Sequence, residues 1–264
     1  MATSNTSNID QQDPLAVFDD LFNDEDGATM SLVDHLEELR QRIFKSLIAV
    51  VLGAILAFIF RDQIMNFLTL PLPKTADAIG KDHNLVVTGL AEGFTVFLKL
   101  SLAVGFLAAV PVILYQVWAF ISPGLYQKEK KTSLPFVFLG IILFLAGIAL
   151  GFVVLRYPVE WLVSFASSNF TELVTADSYF TFVAFFLLAF GVVFEIPLVL
   201  TFMAQLGLIT SQTLRKKRPT AHVGMWIAAT FLTPGADIYS PIILGVAMSI
   251  LFELTIVFIR ITKH

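Results

Sequence analysis

The chain has 264 residues, of which 56% are hydrophobic and only 14% are charged. A soluble globular protein usually has about 25% charged residues, so this composition indicates an integral membrane protein. The sequence contains no cysteine, which excludes disulfides and cysteine-based metal or redox chemistry.

The N-terminal segment is polar and acidic. No Lys or Arg occurs before Asp34, and the acids up to that point are Asp10, Asp13, Asp19, Asp20, Asp24, Glu25, Asp26 and Asp34 itself. The segment has no basic stretch followed by an apolar one, so it is unlike a secretory signal peptide. We predict a disordered acidic cytoplasmic tail over residues 1–30, followed by a membrane domain over residues 31–264.

Six apolar runs predict an all-α integral membrane protein with six transmembrane helices. A helix needs about 20 apolar residues to cross a hydrocarbon core of about 30 Å, and the fifth run is clearly shorter. An amphipathic helix that begins near Ser31 is expected to lead into the first span. The predicted spans cover about 43–60, 94–121, 134–155, 179–209, 221–233 and 238–259.

The connections between the spans carry weaker signals. The spacing of Ile64, Met65, Phe67 and Leu68 favours a short amphipathic helix at the membrane surface. Residues 157–178 are predicted to form a loop. Ser240 followed by Pro241 is typical of an N-cap with proline at the first helical position.

Basic residues are distributed unequally between the two sides of the predicted bundle. Six spans put both termini on one side, and that side holds twelve of the 17 Lys and Arg residues. Cytoplasmic loops carry an excess of Lys and Arg, so both termini are predicted to be cytoplasmic. The basic residues of that side are Arg40, Arg42, Lys45, Lys128, Lys130, Lys131, Arg215, Lys216, Lys217, Arg218, Arg260 and Lys263.

Glu195 is the only acid at the centre of a predicted span. A carboxylate at bilayer depth is costly, which makes it a candidate functional residue. Pro197 has no N–H and its ring crowds the preceding turn, so we predict a break in the helix at this point. The alternative is a protonated Glu195 that is hydrogen-bonded inside the bundle and serves packing. Lys99 and Glu253 lie near span ends and are expected to extend to the interface.

Two acidic positions lie on the predicted cytoplasmic side. Glu38 is close to Arg40 and Arg42, and Glu129 lies among lysines. An interfacial carboxylate suits a guanidinium, because Arg can bond both of its oxygens and Lys cannot. The alternatives are an i,i+4 pair between Glu38 and Arg42 and a solvated Glu129 that neutralises its neighbours. From the residues alone these alternatives are favoured, since surface ion pairs contribute little.

Motifs for catalysis and metal binding are absent from the sequence. There is no H-E-x-x-H, no G-x-S-x-G and no phosphate-binding G-x-x-x-x-G-K. The four histidines are scattered and form no ligand pattern. We therefore predict no enzyme, no cofactor and no bound metal.

Several motifs taken together resemble the TatC family, the multi-spanning receptor subunit of the twin-arginine protein translocase. The resemblance extends from about Ser31 to the C-terminal end. The motifs that carry it are His35-Leu-Glu-Glu38-Leu-Arg40-Gln-Arg42, Pro111-Val-Ile-Leu-Tyr115-Gln-Val-Trp118-Ala-Phe120, Gly124-Leu-Tyr126 with Glu129-Lys130-Lys131, Phe190-Gly-Val-Val-Phe-Glu195-Ile-Pro197, Leu214-Arg-Lys-Lys-Arg218-Pro219, and Leu232-Thr-Pro234 with Asp237.

The resemblance implies both a fold and a function. The family fold is a concave, glove-like bundle whose last two helices are short. Family members bind signal peptides with an arginine pair and assemble with single-span subunits of the TatA and TatB types. They export folded proteins using the proton-motive force. The resemblance also implies self-association in a larger complex, contact with membrane lipid and no nucleic-acid partner. The location it implies is a bacterial-type inner membrane or a thylakoid.

The resemblance further implies roles for residues that match the family motifs. Glu38 and Glu129 would receive the arginine pair, and Arg40, Arg42, Trp118 and Phe120 would shape that site. Glu195, beside Pro197, would meet a polar group on a partner's transmembrane helix. Pro71 and Asp237 match functional positions in the periplasmic regions. The turn before Asp237 departs from the family pattern, because it is Pro-Gly-Ala-Asp instead of the shorter Pro-Pro-Asp.

A secondary transporter with Glu195 as its proton-coupling residue is the alternative function. The intramembrane acid and the interrupted helix favour it. The absence of an internal repeat with a second interrupted span speaks against it.

Overall fold

The computed structural model describes residues 32–72, 85–121, 133–164, 174–235 and 237–262. Regular structure in these ranges is helical except for one isolated bridge between Val86 and Thr175. The all-α prediction is therefore confirmed for the described part of the chain. The predicted tail over residues 1–30 lies outside it. Internal contacts divide the chain between Gln41 and Arg42, inside the first helix.

Ten helices occur in the described ranges, and a helix occupies each of the six predicted apolar runs. In chain order they are α1 (Leu32–Ile59), α2 (Arg61–Leu68), α3 (Glu92–Ile121), α4 (Ser133–Val154), α5 (Arg156–Ser164), α6 (Ala176–Phe194), α7 (Ile196–Gln205), α8 (Ser211–Lys216), α9 (Arg218–Leu232) and α10 (Tyr239–Thr262).

Five helical segments in the described residues are long and apolar enough to cross a membrane. They are Val33–Ile59, Glu92–Ile121, Phe136–Ser164, Ala176–Gln205 and Tyr239–Thr262. α9 has 15 residues and falls short of this length, as its apolar run predicted. α10 has 24 residues, so the expectation that both final helices are short is wrong for the last one.

The sequence predicted the connection after the first span correctly and the connection after the third span only in part. α2 forms the short helix expected at Ile64–Leu68. The expected loop over 157–178 is wrong in its first part, because α5 covers Arg156–Ser164. Pro158 lies in the first turn of α5, where its missing N–H removes no intrahelical hydrogen bond.

α6 lies at the centre of the core. Val183, Phe186 and Phe190 are completely buried, and α6 packs against both α3 and α4. A helix that is apolar on all sides is expected to be buried in this way. The span that carries Glu195 is thus the element against which much of the bundle packs.

α1 meets α3 at a backbone-to-backbone crossing between Gly53 and Gly105. A Cβ on Gly53 would lie 2.7 Å from the Gly105 carbonyl oxygen, and one on Gly105 would overlap the backbone of Ala54. Only 6% of the most apolar window of α1 is buried. The position of residues 42–59 of α1 therefore depends strongly on these two glycines.

Candidate functional site

Glu195 is the residue at which the fourth span changes from α6 to α7. Its N–H donates to the Val192 carbonyl oxygen at 3.1 Å, and its own carbonyl oxygen accepts from the Val199 N–H at 3.0 Å. Pro197 follows as the second residue of α7, where a proline is tolerated. The predicted interruption of the span is confirmed, and it lies at the carboxylate-bearing residue itself.

The Glu195 carboxylate lies where α3, α4 and α7 meet. A Cβ placed on Gly140 of α4 would lie 3.2 Å from Glu195 Oε2, 3.0 Å from Leu198 Cδ2 and 3.3 Å from Leu114 Cδ1. Glycine at position 140 therefore makes the space that the carboxylate occupies.

Glu195 Oε1 is buried, and no described residue forms a hydrogen bond with it. A buried polar atom without a partner is costly, and in native proteins such groups are often functional. The packing alternative requires a carboxyl group that is hydrogen-bonded within the bundle, and the described residues do not supply this bond to Oε1. The geometry suits a carboxyl group that receives a donor from outside the described chain.

Trp118 lies inside the protein and is not part of an exposed aromatic belt. Its ring packs against Phe136 at 5.1 Å and against Phe202 at 4.6 Å, the second in an edge-on arrangement. Tyr115, by contrast, is exposed. Trp118 fixes the end of α3 against α4 and α7, and Phe120 lies half-buried one residue before that helix ends.

Arg42 is held by a polar side chain that the sequence did not single out. Its Nη1 donates to Gln116 Oε1 at 3.1 Å, and Gln116 is buried in α3. A charged donor strengthens this hydrogen bond. Arg42 therefore connects α1 to the same end of α3 that carries Trp118 and Phe120.

The structure describes only one of the two carboxylates predicted to receive an arginine pair. Glu38 is half-buried and Arg40 is exposed, both in the first turns of α1. Glu129 lies outside the described residues. The pairing of Glu38 with Glu129 stays a prediction.

Pro71 is buried in the turn that follows α2. Two contacts hold this region against the bundle. The Tyr179 hydroxyl donates to the Leu68 carbonyl oxygen at 2.7 Å, and the rings of Phe67 and Phe152 stack at 4.5 Å. Pro71 therefore belongs to a fixed connection and its ring is covered by protein.

Asp237 caps the start of α10. Its Oδ1 accepts from the Ser240 N–H at 2.6 Å and its Oδ2 accepts from the Ser240 hydroxyl at 2.7 Å. Both residues are buried. The prediction of Ser240 as N-cap is wrong, because Asp237 supplies the capping acceptor and Ser240 is the donor.

Replacing Asp237 with Ala is expected to destabilise the protein by about 1–2 kcal/mol, because the first turn of α10 loses its acceptor. Thermal unfolding in detergent measures the effect. The control is Asp62→Ala, since the Asp62 side chain is 71% exposed and its removal should change little. Equal unfolding temperatures for wild type and Asp237→Ala would contradict the capping role.

α9 and α10 are joined by a cluster of polar side chains that was not predicted from the sequence. Glu253 Oε2 accepts from Arg218 Nη2 at 2.6 Å, and Glu253 Oε1 lies 3.2 Å from His222 Nε2. His222 Nδ1 lies 3.2 Å from Ser249 Oγ. Glu253 thus pairs between helices, and its extension to the interface stays a prediction. Both Arg218–His222 and Ser249–Glu253 are spaced by four, so each pair shares one helix face, a signal that could have found the cluster.

Lys99 also has a partner that was not predicted. Its Nζ lies 2.7 Å from Asp177 Oδ1, which joins α3 to the first turn of α6. Across the described ranges, no three or more His, Asp or Glu side chains are grouped so that they could hold a metal ion. Lys99–Asp177 and Arg218–Glu253 are therefore ion pairs between helices, whereas the buried Oε1 of Glu195 lacks such a partner among the described residues.

Comparison with known proteins agrees with the features above. Residues 34–259 match the family model described as Sec-independent protein translocase protein (TatC). Proteins named Sec-independent protein translocase protein TatC are similar to this chain, as two examples show. That of Desulforapulum autotrophicum is 39% identical over 229 residues, which cover 86% of this chain and 83% of the relative. That of Escherichia coli K12 is 34% identical over 233 residues, which cover 88% of this chain and 89% of the relative.

Solved structures give the same result. A crystal structure of the twin arginine translocase receptor TatC aligns with a TM-score of 0.72 and 32% identity, covering 87% of this chain and all of that one. Another, of the receptor in DDM, aligns with a TM-score of 0.72 and 31% identity, covering 85% of this chain and 99% of that one. With its five apolar helices of membrane-crossing length, the chain is an integral membrane protein, and it belongs to the TatC family of Sec-independent protein translocase proteins.

Proposed function

We propose that the chain is the receptor and core subunit of a twin-arginine translocase. It binds signal peptides with an arginine pair, assembles with single-span partners of the TatA and TatB types, and exports folded proteins using the proton-motive force. The observation that carries this proposal is the family match over residues 34–259. The match does not favour the secondary-transporter alternative, and neither does any contact of Glu195 in the described residues.

The signal-peptide site consists of Glu38 and Glu129, each of which takes one guanidinium at the cytoplasmic headgroups. A carboxylate and a guanidinium form two parallel hydrogen bonds, which an ammonium cannot reproduce. Arg40, Arg42, Trp118 and Phe120 shape the site. The Arg42–Gln116 hydrogen bond and the packing of Trp118 support a fixed end of α3 next to Phe120.

Both termini lie in the cytoplasm, and the membrane is a bacterial-type inner membrane. The excess of Lys and Arg on the side of the termini supports this orientation. In this topology Pro71 and Asp237 lie on the periplasmic side. The buried turn at Pro71 and the Asp237 cap support a role in keeping the periplasmic connections in one conformation.

Glu195 is the contact for a partner's transmembrane helix. Its buried Oε1 lacks a hydrogen bond from the described residues, so a polar group on the partner would satisfy it. Hydrogen bonds of this kind hold helices together in lipid, where water cannot compete. Pro197 contributes by ending the regular helix at Glu195.

Binding of synthetic signal peptides tests the receptor function. A twin-arginine peptide is expected to bind the detergent-solubilised wild type, and Glu38→Ala or Glu129→Ala should weaken it about tenfold, the loss expected for one charge-assisted hydrogen-bonded pair. A twin-lysine peptide should lose much less. The matched control is Glu160→Ala, since Glu160 is an exposed acid that pairs with Arg156 in the same helix, α5.

Two outcomes would contradict the proposal at different levels. Equal losses for the arginine and lysine peptides would exclude bidentate recognition by these carboxylates. Failure of the wild type to bind the twin-arginine peptide would overturn the receptor function itself.

A further inference from the structure

An apolar groove lies between α3 and α6, apart from the residues assigned to signal peptides and partners. Its volume is about 510 Å³, and its walls come from Val96–Leu107 of α3 and Asp177–Leu188 of α6. Leu102 and Phe185 on these walls are exposed, so the groove is open along its side. The Lys99–Asp177 ion pair lies near one end and is part of the lining.

The length of the groove matches one leaflet of a bilayer. Each wall covers eleven residue steps, which at 1.5 Å per residue is about 16 Å. Half of a hydrocarbon core of about 30 Å is about 15 Å. A groove that begins at a charged pair and continues along apolar side chains over this distance has the dimensions of one lipid acyl chain below its headgroup.

The lining of the groove suits a lipid acyl chain. An extended hydrocarbon chain needs no hydrogen bond from its surroundings, and the lining is apolar apart from Lys99, Asp177 and Thr181.

The charges at the end of the groove select the headgroup. The Lys99 ammonium has three donors, of which Asp177 Oδ1 uses one. The Lys99 and Asp177 side chains are 60% and 39% exposed, respectively, so both can take further partners. The pair has no net charge and presents a cation and an anion side by side.

A second carboxylate next to the pair disfavours an anionic headgroup. Glu92 Oε2 accepts from the Thr88 hydroxyl at 2.7 Å and from the Gly89 N–H at 2.9 Å, and the Glu92 carboxylate lies close to the backbone of Asp177. This end of the groove therefore holds Lys99 with two acids. A zwitterionic headgroup, which carries a cation as well as a phosphate, complements these three charged side chains better than a headgroup with a negative charge only.

We propose that the groove binds one phospholipid with a zwitterionic headgroup that ends in a primary ammonium, as in phosphatidylethanolamine. Its phosphate accepts from Lys99, its ammonium donates to Asp177, and one acyl chain lies between α3 and α6. The site holds a structural lipid of the leaflet on the Lys99 side.

Native mass spectrometry of the full chain in detergent tests this site with three lipids that share the same acyl chains. Phosphatidylethanolamine is expected to bind as one molecule and about tenfold more tightly than phosphatidylglycerol, since one ion pair is replaced by a repulsion. Phosphatidylcholine, whose ammonium has no N–H, should bind with intermediate affinity.

Variants separate the headgroup from the chain. Lys99→Gln and Asp177→Asn should remove the preference among headgroups, and Ala184→Phe should reduce binding of all three lipids because it fills the groove. Ala103→Leu on the opposite wall repeats the filling test with a smaller change. Arg156→Gln is the matched control, since it removes another exposed interfacial ion pair away from the groove.

The proposal is overturned if the wild type shows no preference between phosphatidylethanolamine and phosphatidylglycerol. It is also overturned if Arg156→Gln lowers binding as much as Lys99→Gln does. A photo-crosslinker at Phe185 that captures a signal peptide or a partner helix in place of lipid would likewise assign the groove to a protein ligand.

Discussion

Glu195→Ala is expected to abolish stable assembly with the single-span partner subunits while twin-arginine peptide binding stays intact. The Ala side chain removes the buried acceptor Oε1, which no described residue satisfies. A hydrogen bond to a buried carboxyl oxygen is worth enough to change the affinity of a complex about tenfold. Co-purification of the partners with a tagged chain measures the loss.

Two further variants separate the carboxyl group from its surroundings. Glu195→Gln keeps the shape and a hydrogen-bonding carbonyl, so most of the assembly should remain. Gly140→Val keeps the carboxyl group but fills the space beside Oε2, where a Cβ would lie 3.2 Å away, so assembly should fall. Unchanged partner recovery in Glu195→Ala would refute the contact, and Glu160→Ala again serves as the exposed control.

Gly105→Leu is expected to displace α1 from α3. Even a Cβ at position 105 overlaps the backbone of Ala54, and a backbone cannot move aside as a flexible side chain can. Overpacking of this kind costs about 1–3 kcal/mol or more. Because α1 buries so little of its apolar surface, separation of the two helices is the easier response than rearrangement of α3.

Crosslinking measures this displacement directly, since the chain has no cysteine of its own. Arg42→Cys and Gln116→Cys replace two side chains that touch at 3.1 Å, so a short bifunctional maleimide should join them efficiently. Gly105→Leu should reduce the yield severalfold. Gly93→Leu is the control on the same helix, because a Cβ there meets nothing within 4 Å. Equal yields in both variants would show that the crossing does not position α1.

Features that depend on neighbouring residues were predictable from the sequence. The interruption at Glu195 follows from Pro197 two residues later, because the cause and its effect lie within one helical turn. α2 was predictable from the spacing of its apolar residues. The sixth apolar run ends at Ile259, whereas α10 continues to Thr262 with Arg260 in its last turn, where the helix dipole favours a basic residue.

Features that depend on distant residues were missed. Lys99 and Asp177 are 78 positions apart, and Arg218 and Glu253 are 35 apart. Lys99 and Glu253 lie near the ends of the predicted spans, where extension to the interface explains a single charge equally well. The burial of Trp118 was not predictable for a related reason: α3 is apolar on nearly all sides, so its periodicity does not distinguish the buried face from the exposed one.

The short α9 has a mechanical consequence for the surrounding membrane. Its 15 residues rise about 22 Å, which is about 8 Å less than a typical hydrocarbon core. Its first residue, Arg218, is tied to Glu253, and α10 continues nine residues beyond that point, to Thr262. A bilayer that borders α9 must therefore become thinner or admit water at this edge. The hydrocarbon barrier is therefore weakened beside α9.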